Sequence, residues 1–290
     1  MNKQQFDNII RENLEAHCGK NDFGYEITKN GPTYSNYYRN DVFEKFKKEM
    51  QQPQYLHFFK SYCDGSGSEL KERKGRYGIM PPKMASVASS SRFCYLALRK
   101  LNEALGGIEV EKGCPIPGIS GTAPQLDAYI PQKNTYLEVK CHEIFDAHSI
   151  TLKSAYWDKL YGKGNDFGFV ESSLTNSDHF SISPSVFGVQ KNSTMFDIKQ
   201  LLCHLLGIAA TSSTPSELVY LFFMPESTQH QSELRSLFAE LAGEVSAIFN
   251  STPIRTFCKK NNIRLRAIVE YAKCMDTLTN QNTHSLIDWN

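Results

Sequence analysis

Residues 125–141 read QLDAYIPQKNTYLEVKC, and no other stretch restricts the fold so tightly. Two runs in which apolar and polar residues alternate flank Pro131-Gln132-Lys133-Asn134, a turn composition, so the stretch predicts a β-hairpin. With Pro131 opposite Asn134, Ile130 pairs with Thr135 and Asp127 with Glu138. Alternation then puts Glu138 and Lys140 on one sheet face and Leu137, Val139 and Cys141 on the other. The apolar flanks place this hairpin in the middle of a sheet. Two carboxylates would there stand directly across from each other, which is destabilising unless a cation lies between them. Lys140 is one candidate. A divalent metal is a better one, because Mg²⁺ is held by one or two carboxylates together with waters and phosphate oxygens. An acid–x–Lys triplet is more often a solvated surface ion pair. The apolar flanks, and the turn Thr122-Ala123-Pro124 that leads into Asp127, favour the buried alternative.

The remaining pattern supplies a framework around the hairpin. With 290 residues, 40% hydrophobic and 22% charged, the chain suits one large domain or two modest ones. A core of that size needs neither disulfides nor a structural metal. Residues 1–20 and 40–50 have helical periodicity, with an aromatic, turn-rich stretch between them, and residues 64–83 have a loop composition. A helix through Phe93 and Leu101 stops at Gly106-Gly107, and a short strand, GIEVEKG, follows. Residues 172–193 read as an irregular excursion. After them come a helix with Met195, Ile198, Leu201, Leu202 and Leu205 on one side and Gly207 at its end, then the buried strand SELVYLFFMP. A helix over 228–249 and a strand over 261–272 complete the chain. This order predicts a mixed α/β fold: an N-terminal helical elaboration over 1–60 and a main domain over 61–290.

Composition excludes several classes. A formal net charge of +1 offers no global attraction to polyanions, so any nucleic-acid binding needs a local basic patch. The polar start lacks the apolar core of a signal peptide, and no run approaches the roughly 20 apolar residues of a membrane span. A cytoplasmic protein with no membrane partner is therefore expected. Eight cysteines are scattered singly without CxxC or CxxH pairs, so no zinc site is expected and the thiols read as small buried hydrophobes. No GxxxxGK[ST] loop is present, and GISGT lacks the full nucleophile-elbow form.

The stretch APQLDAYIPQKNTYLEVK resembles the core motif of the PD-(D/E)xK nuclease superfamily, in which an Asp on one strand precedes a (Asp/Glu)-x-Lys triplet on the next. Asp127, Glu138 and Lys140 match those positions, whereas the adjacent Pro-Asp dipeptide is absent and Pro124 lies three residues before the Asp. GSGSEL at Gly65–Leu70, ASSSRFCYLAL, EVKCHE running on to Glu143, and FDIKQLLCHLLG extend the likeness to an uncharacterised bacterial subgroup over roughly residues 60–271. The resemblance implies an α/β, restriction-endonuclease-like mixed β-sheet flanked by helices. It implies a Mg²⁺- (or Mn²⁺-) dependent nuclease acting on DNA, with a homodimer allowed. Asp127, Glu138, the Val139 carbonyl and Glu69 would hold the metal, and Lys140 would orient the attacking water.

Other residues are weighed beside these. Glu69 on its own reads as a solvated helix start, where negative charge is favoured. Its assignment as an extra ligand rests on the resemblance, with Glu103, Glu109 and Glu111 as rivals. Lys71, Arg73, Lys74 and Arg76 form the densest basic run. Such runs are usually solvated loops, but beside an acidic metal site this one would contact DNA phosphates, with Tyr77 available for stacking. Lys153, Lys159 and Lys163 are the alternative surface. Gln200 and His204, four apart, share a helix face with Asp197. That spacing suits a metal site, but a polar face supporting the active site is preferred. His142 and His148 have no evident partners. A non-catalytic nucleic-acid-binding or assembly module, or a nuclease acting on RNA, is the alternative function.

Overall fold

The computed structural model describes residues 1–27, 32–65, 69–75, 78–121, 123–162, 167 and 178–272. Helix α1 (Lys3–Cys18) starts at a capping box, in which the Asn2 side chain accepts from the Gln5 N–H and Gln5 returns a bond to the Asn2 N–H. An antiparallel pair follows, β1 (Phe23–Glu26) and β2 (Thr33–Tyr38), and then α2 (Asn40–Met50) and α3 (Leu56–Asp64). The small hairpin of β3 (Arg73–Gly75) and β4 (Gly78–Met80) leads to α4 (Ser90–Leu105), whose first turn is capped by the Ser89 hydroxyl. Strands β5 (Glu109–Gly113), β6 (Gln125–Ile130) and β7 (Thr135–Lys140) come next, then β8 (Ile150–Lys153), the single turn α5 (Trp157–Leu160) and β9 (His179–Ile182). Helix α6 (Ile198–Thr211), β10 (Ser216–Pro225), α7 (Gln231–Asn250), α8 (Thr252–Lys260) and β11 (Ile263–Ala272) complete the described chain.

The main sheet has the order β11-β10-β7-β6-β5. Strands β5, β6 and β7 are antiparallel and joined by short connections, whereas β7, β10 and β11 are parallel. Parallel neighbours need crossover connections, and α6 provides the first while α7 and α8 provide the second. All ten residues of β10 are buried, Ser216 and Glu217 included, and its apolar run Leu218–Met224 is what a strand covered on both faces requires. The predicted hairpin is β6–β7, with Ile130 paired to Thr135 across a 3-10 turn at Pro131–Lys133. Asn134 closes it at φ 46, a left-handed conformation that asparagine tolerates. One hydrophobic cluster runs from Phe6 to Ile263, so the N-terminal segment shares the core of the main sheet.

The structure differs from the sequence reading in several elements. The aromatic stretch within 1–60 is a hairpin, so this segment is not wholly helical. Aromatic residues favour a pleated, half-buried surface, and the Arg92 guanidinium lies 4.0 Å from the Tyr38 and Phe46 ring centres. Helices α3 and α8 are additions to the expected elements, and so is the antiparallel pair β8–β9, whose strand β9 falls within the expected loop at 172–193. Residues 172–177 lie outside the described residues. Helix α6 also continues through Gly207 to Thr211. Glycine there serves close approach and not termination, since a Cβ at 207 would stand 2.6 Å from the Cys114 carbonyl oxygen and 2.8 Å from its Cβ. Among the described residues no helix is long and apolar enough to cross a membrane.

Gly207→Ala is accordingly expected to destabilise the protein. Alanine favours a helix interior by about 1 kcal/mol, but overpacking costs about 1–3 kcal/mol and the obstructing atoms include backbone. Urea unfolding should show a net loss of about 1 kcal/mol or more. Equal or greater stability would mean that the Cys114 segment yields.

Candidate active site

Hairpin pairing carries the central geometry. Ala128 pairs with Leu137, and one step further along that register Asp127 stands opposite Glu138. The Val139 N–H donates to Asp127 Oδ2 at 2.7 Å. Glu138 is 4% exposed, and its Oε1 accepts from Lys140 Nζ at 2.7 Å and from Gln200 Nε2 at 2.8 Å. Lys140 Nζ also donates to Gln200 Oε1 at 2.6 Å, closing a triangle of carboxylate, ammonium and amide. Helix α6 delivers Gln200 because Asp197 caps it, accepting from the Gln200 N–H at 2.9 Å.

One turn further along α6, His204 is buried between the Gln125 carbonyl, 3.1 Å from Nε2, and the Tyr220 hydroxyl, 3.2 Å from Nδ1. Donation to the carbonyl leaves Nδ1 to accept from Tyr220. Burial lowers the His204 pKa and keeps the ring neutral, although Glu138 Oε2 lies 3.8 Å away. Asp197 is occupied in capping and in a 3.6 Å contact with His148, so this helix face supports the hairpin and does not form a metal site of its own. His142 has a partner that sequence proximity could not reveal, with Nδ1 2.9 Å from Asp7 Oδ1 on α1.

A cavity of about 590 Å³ opens along this edge, and its wall includes Asp127, Glu138, Lys140, Gln200, Glu143, Glu69 and Glu111. Glu69 is not a solvated helix start. It is 4% exposed, its Oε1 accepts from Lys83 Nζ at 2.8 Å, and its Oε2 is buried without a hydrogen bond. Of its rivals, only Glu111 reaches the cavity; Glu103 accepts from Tyr55 and Glu109 from Lys112. Glu111 has φ 54, a left-handed conformation uncommon for such a side chain. Glu143 accepts from the Cys141 N–H at 2.7 Å. In the basic run, Lys71 and Lys74 are exposed, whereas Arg73 lines the cavity with its Nε buried and without a hydrogen bond. Arg76, Tyr77 and Lys163 lie outside the described residues. Lys153 and Lys159 are not part of the cavity wall. Ser89–Ser91, of the ASSSRFCYLAL stretch, line that wall as well, and Lys3, Tyr37 and Lys83 join it although the sequence reading does not point to them. None of these last three belongs to a spacing pattern that sequence could expose. A larger cavity of about 820 Å³, between α7, α8 and the β10–β11 side of the sheet, has no carboxylate or histidine in its lining.

Electrostatics follow from burying like charges together. Burial, and then the charge on Glu138, push the Asp127 carboxyl well above its ordinary range, against the pull of Lys140 and the Val139 N–H. Burial works against the Lys140 ammonium, but Glu138, Glu143 and Asp127 outweigh it, so its pKa is raised. Burial and then Glu69 push Glu111 up to about 7. Asp127 therefore holds a proton more tightly than an ordinary carboxyl, and a cation beside it would oppose that effect. Hard oxygen donors, with the buried and unbonded Glu69 Oε2 in the same cavity wall, suit Mg²⁺ chemically. Among the described residues no three acidic, histidine or cysteine side chains converge on one point. Lys83 occupies Glu69 Oε1, so the donors paired on the hairpin are those of Asp127 and Glu138, and Mg²⁺ needs no more than one or two carboxylates.

No family model, no curated protein and no solved structure matches this chain.

The Glu111 shift predicts a pH dependence. The native carboxyl at about 7 binds a proton more tightly than the ordinary 4.5, so stability is highest below about 4.5 and falls as pH rises towards and through 7. In chelator at about pH 8.5, Glu111→Gln should therefore melt a few degrees higher than the parent protein, at about 2–4 °C per kcal/mol for a chain of this size. The difference should shrink near pH 5. A variant that melts lower at pH 8.5 would show that the ionised carboxylate is structurally required.

Proposed function

We propose that this cavity hydrolyses phosphodiester bonds in DNA with the help of Mg²⁺ or Mn²⁺, and that the mixed sheet is of the restriction-endonuclease-like type. The observation that carries this reading is the Lys140 ammonium, 13% exposed and held between Glu138 and Gln200 at the wall of a carboxylate-lined cavity. The resemblance around Asp127, Glu138 and Lys140 supports the same chemistry.

Hydrolysis joins a water oxygen to phosphorus and breaks the bond to the leaving sugar oxygen. The bound metal would supply a water of lowered pKa and Lewis-acid stabilisation of the phosphate. Asp127 and Glu138 would hold it, with the Val139 carbonyl and Glu69 as the further ligands that the resemblance implies. Because its pKa is raised, Lys140 stays protonated. It therefore acts as a hydrogen-bond donor that orients the water and stabilises developing negative charge, and not as a general base. Gln200 fixes the Lys140 head and Glu138 together, and neutral His204 backs this pair without competing for the metal. Arg73, whose side chain lines the cavity, is the first phosphate contact, with Lys71 and Lys74 in the same run.

Nicking of supercoiled plasmid in Mg²⁺ tests the reading. Lys140→Ala and Glu138→Gln should each lose at least about a hundredfold in rate, the scale of losing one preorganised electrostatic contact. Unchanged nicking in Lys140→Ala would overturn the assignment. DNA binding without cleavage by the parent protein would instead identify a binding module, and cleavage of RNA alone would move the substrate class.

Binding in Ca²⁺ at several salt concentrations reads the basic run. Replacing Lys71, Arg73 and Lys74 by Ala should weaken binding to all sequences alike and lower the salt slope by about 0.9 for each phosphate that is no longer neutralised. Parent affinity and parent slope in the triple variant would place the nucleic-acid surface elsewhere.

A further inference from the structure

We propose that Lys83 is a second catalytic lysine, a fixed cation that contacts the scissile phosphate and takes the place of a second metal ion; this rests on the nuclease reading and defines its metal requirement as one ion per site. Displacement at a phosphodiester places negative charge on both the entering and the leaving oxygen, and two-metal sites meet it with a cation at each. Asp127 and Glu138 supply the donors for one ion. Glu69 and Glu111 are two further carboxylates in the same cavity wall, and left to themselves they would suit another. Lys83 stands there instead, its Nζ 2.8 Å from Glu69 Oε1. Burial and then Glu69 raise the Glu111 pKa while Lys83 lowers it, so the ammonium lies within electrostatic reach of Glu111 as well.

The chain holds Lys83 in place for this role. It is exposed within Pro81–Ala85, a run whose other members are buried. A lysine so placed ordinarily extends its head into water, but this one turns onto a carboxylate that is 4% exposed. The backbone clasps the same residue, because the Met84 N–H donates to the Glu69 carbonyl at 3.0 Å. Met84 and Leu70, the neighbours of the two partners, are buried and anchor both segments in the core. The two lysines of the cavity differ in what they leave open. Lys140 is 13% exposed and donates to both Glu138 and Gln200. Lys83 is 45% exposed, and among the described residues Glu69 is its one acceptor, which leaves two of its three N–H groups for phosphate oxygens. It engages Oε1 of Glu69, so Oε2 is left to serve as a metal ligand. An ammonium fixed in this way stabilises developing negative charge without transferring a proton.

The experiment uses the intact chain and reads two quantities: the number of Mn²⁺ ions bound, by a titration followed with electron paramagnetic resonance, and the rate of plasmid nicking. The parent protein should bind one ion. Lys83→Ala should bind two, because Glu69 and Glu111 then lack their cation, and Lys83→Arg should return the count to one. Lys83→Gln keeps a hydrogen-bond donor beside Glu69 but no charge. It should melt within a few degrees of the parent protein and yet nick about a hundredfold more slowly, the scale of losing one preorganised electrostatic contact. Lys83→Arg should recover most of that rate, which a merely structural lysine would not require. Two ions on the parent protein, one ion on Lys83→Ala, or nicking by Lys83→Gln within about twofold of the parent rate overturns the role of Lys83, while metal-dependent nicking by the parent protein continues to support the nuclease. Absence of both Mn²⁺ binding and nicking in the parent protein overturns the two together.

Discussion

Two carboxylates buried opposite each other across one hairpin set the terms for the rest of the molecule. Asp127 and Glu138 stand in register across β6 and β7, and like charges so placed repel unless compensated. Compensation comes from Lys140 on the same strand and Gln200 on α6, both bonded to the same oxygen of Glu138. Gln200 reaches that oxygen only because α6 packs closely against the sheet. That approach depends on Gly207, where a Cβ would strike the Cys114 backbone. The crossover helix that makes β7 and β10 parallel is thus also what completes the charged triangle.

Around the triangle the charges are arranged so that one more cation would lower the energy. Burial and then Glu138 raise the Asp127 pKa, and burial and then Glu69 raise that of Glu111 to about 7. Glu69 is bonded through one oxygen to Lys83, with its other oxygen buried and unbonded. Partly satisfied buried polar clusters are costly to stability, and perturbed acids gathered at a cavity are the ordinary signature of a reactive site. Backbone strain points the same way, since Glu111 sits at φ 54 on the strand next to Asp127.

The N-terminal segment frames this site and is not appended to a finished domain. Helix α1 brings Asp7 to His142 and Lys3 to Asp146, fixing the chain just after β7. Strand β2 holds the small hairpin beside the cavity through Tyr34. The wall therefore draws on residues from Lys3 to Gln200, separated by most of the chain.

What the sequence determined by itself was whatever depends on local periodicity. The β6–β7 hairpin, its register, the sharing of one face by Glu138 and Lys140, the buried strand Ser216–Pro225 and the α/β order all follow from alternation and turn chemistry within a few residues. Only the tertiary structure decided which distant groups meet. Glu111, at φ 54, lines the cavity, whereas Glu103 and Glu109 are held by Tyr55 and Lys112. Glu69 proved buried and paired with Lys83, and His142 acquired Asp7 from a helix 135 residues away in the chain. Gly207, which has the form of a helix stop, lies inside α6 because a neighbouring segment leaves room for no side chain. Periodicity records which face of an element is apolar. It carries no trace of what packs on that face, and it is that packing which sets burial, charge pairing and the protonation of the site.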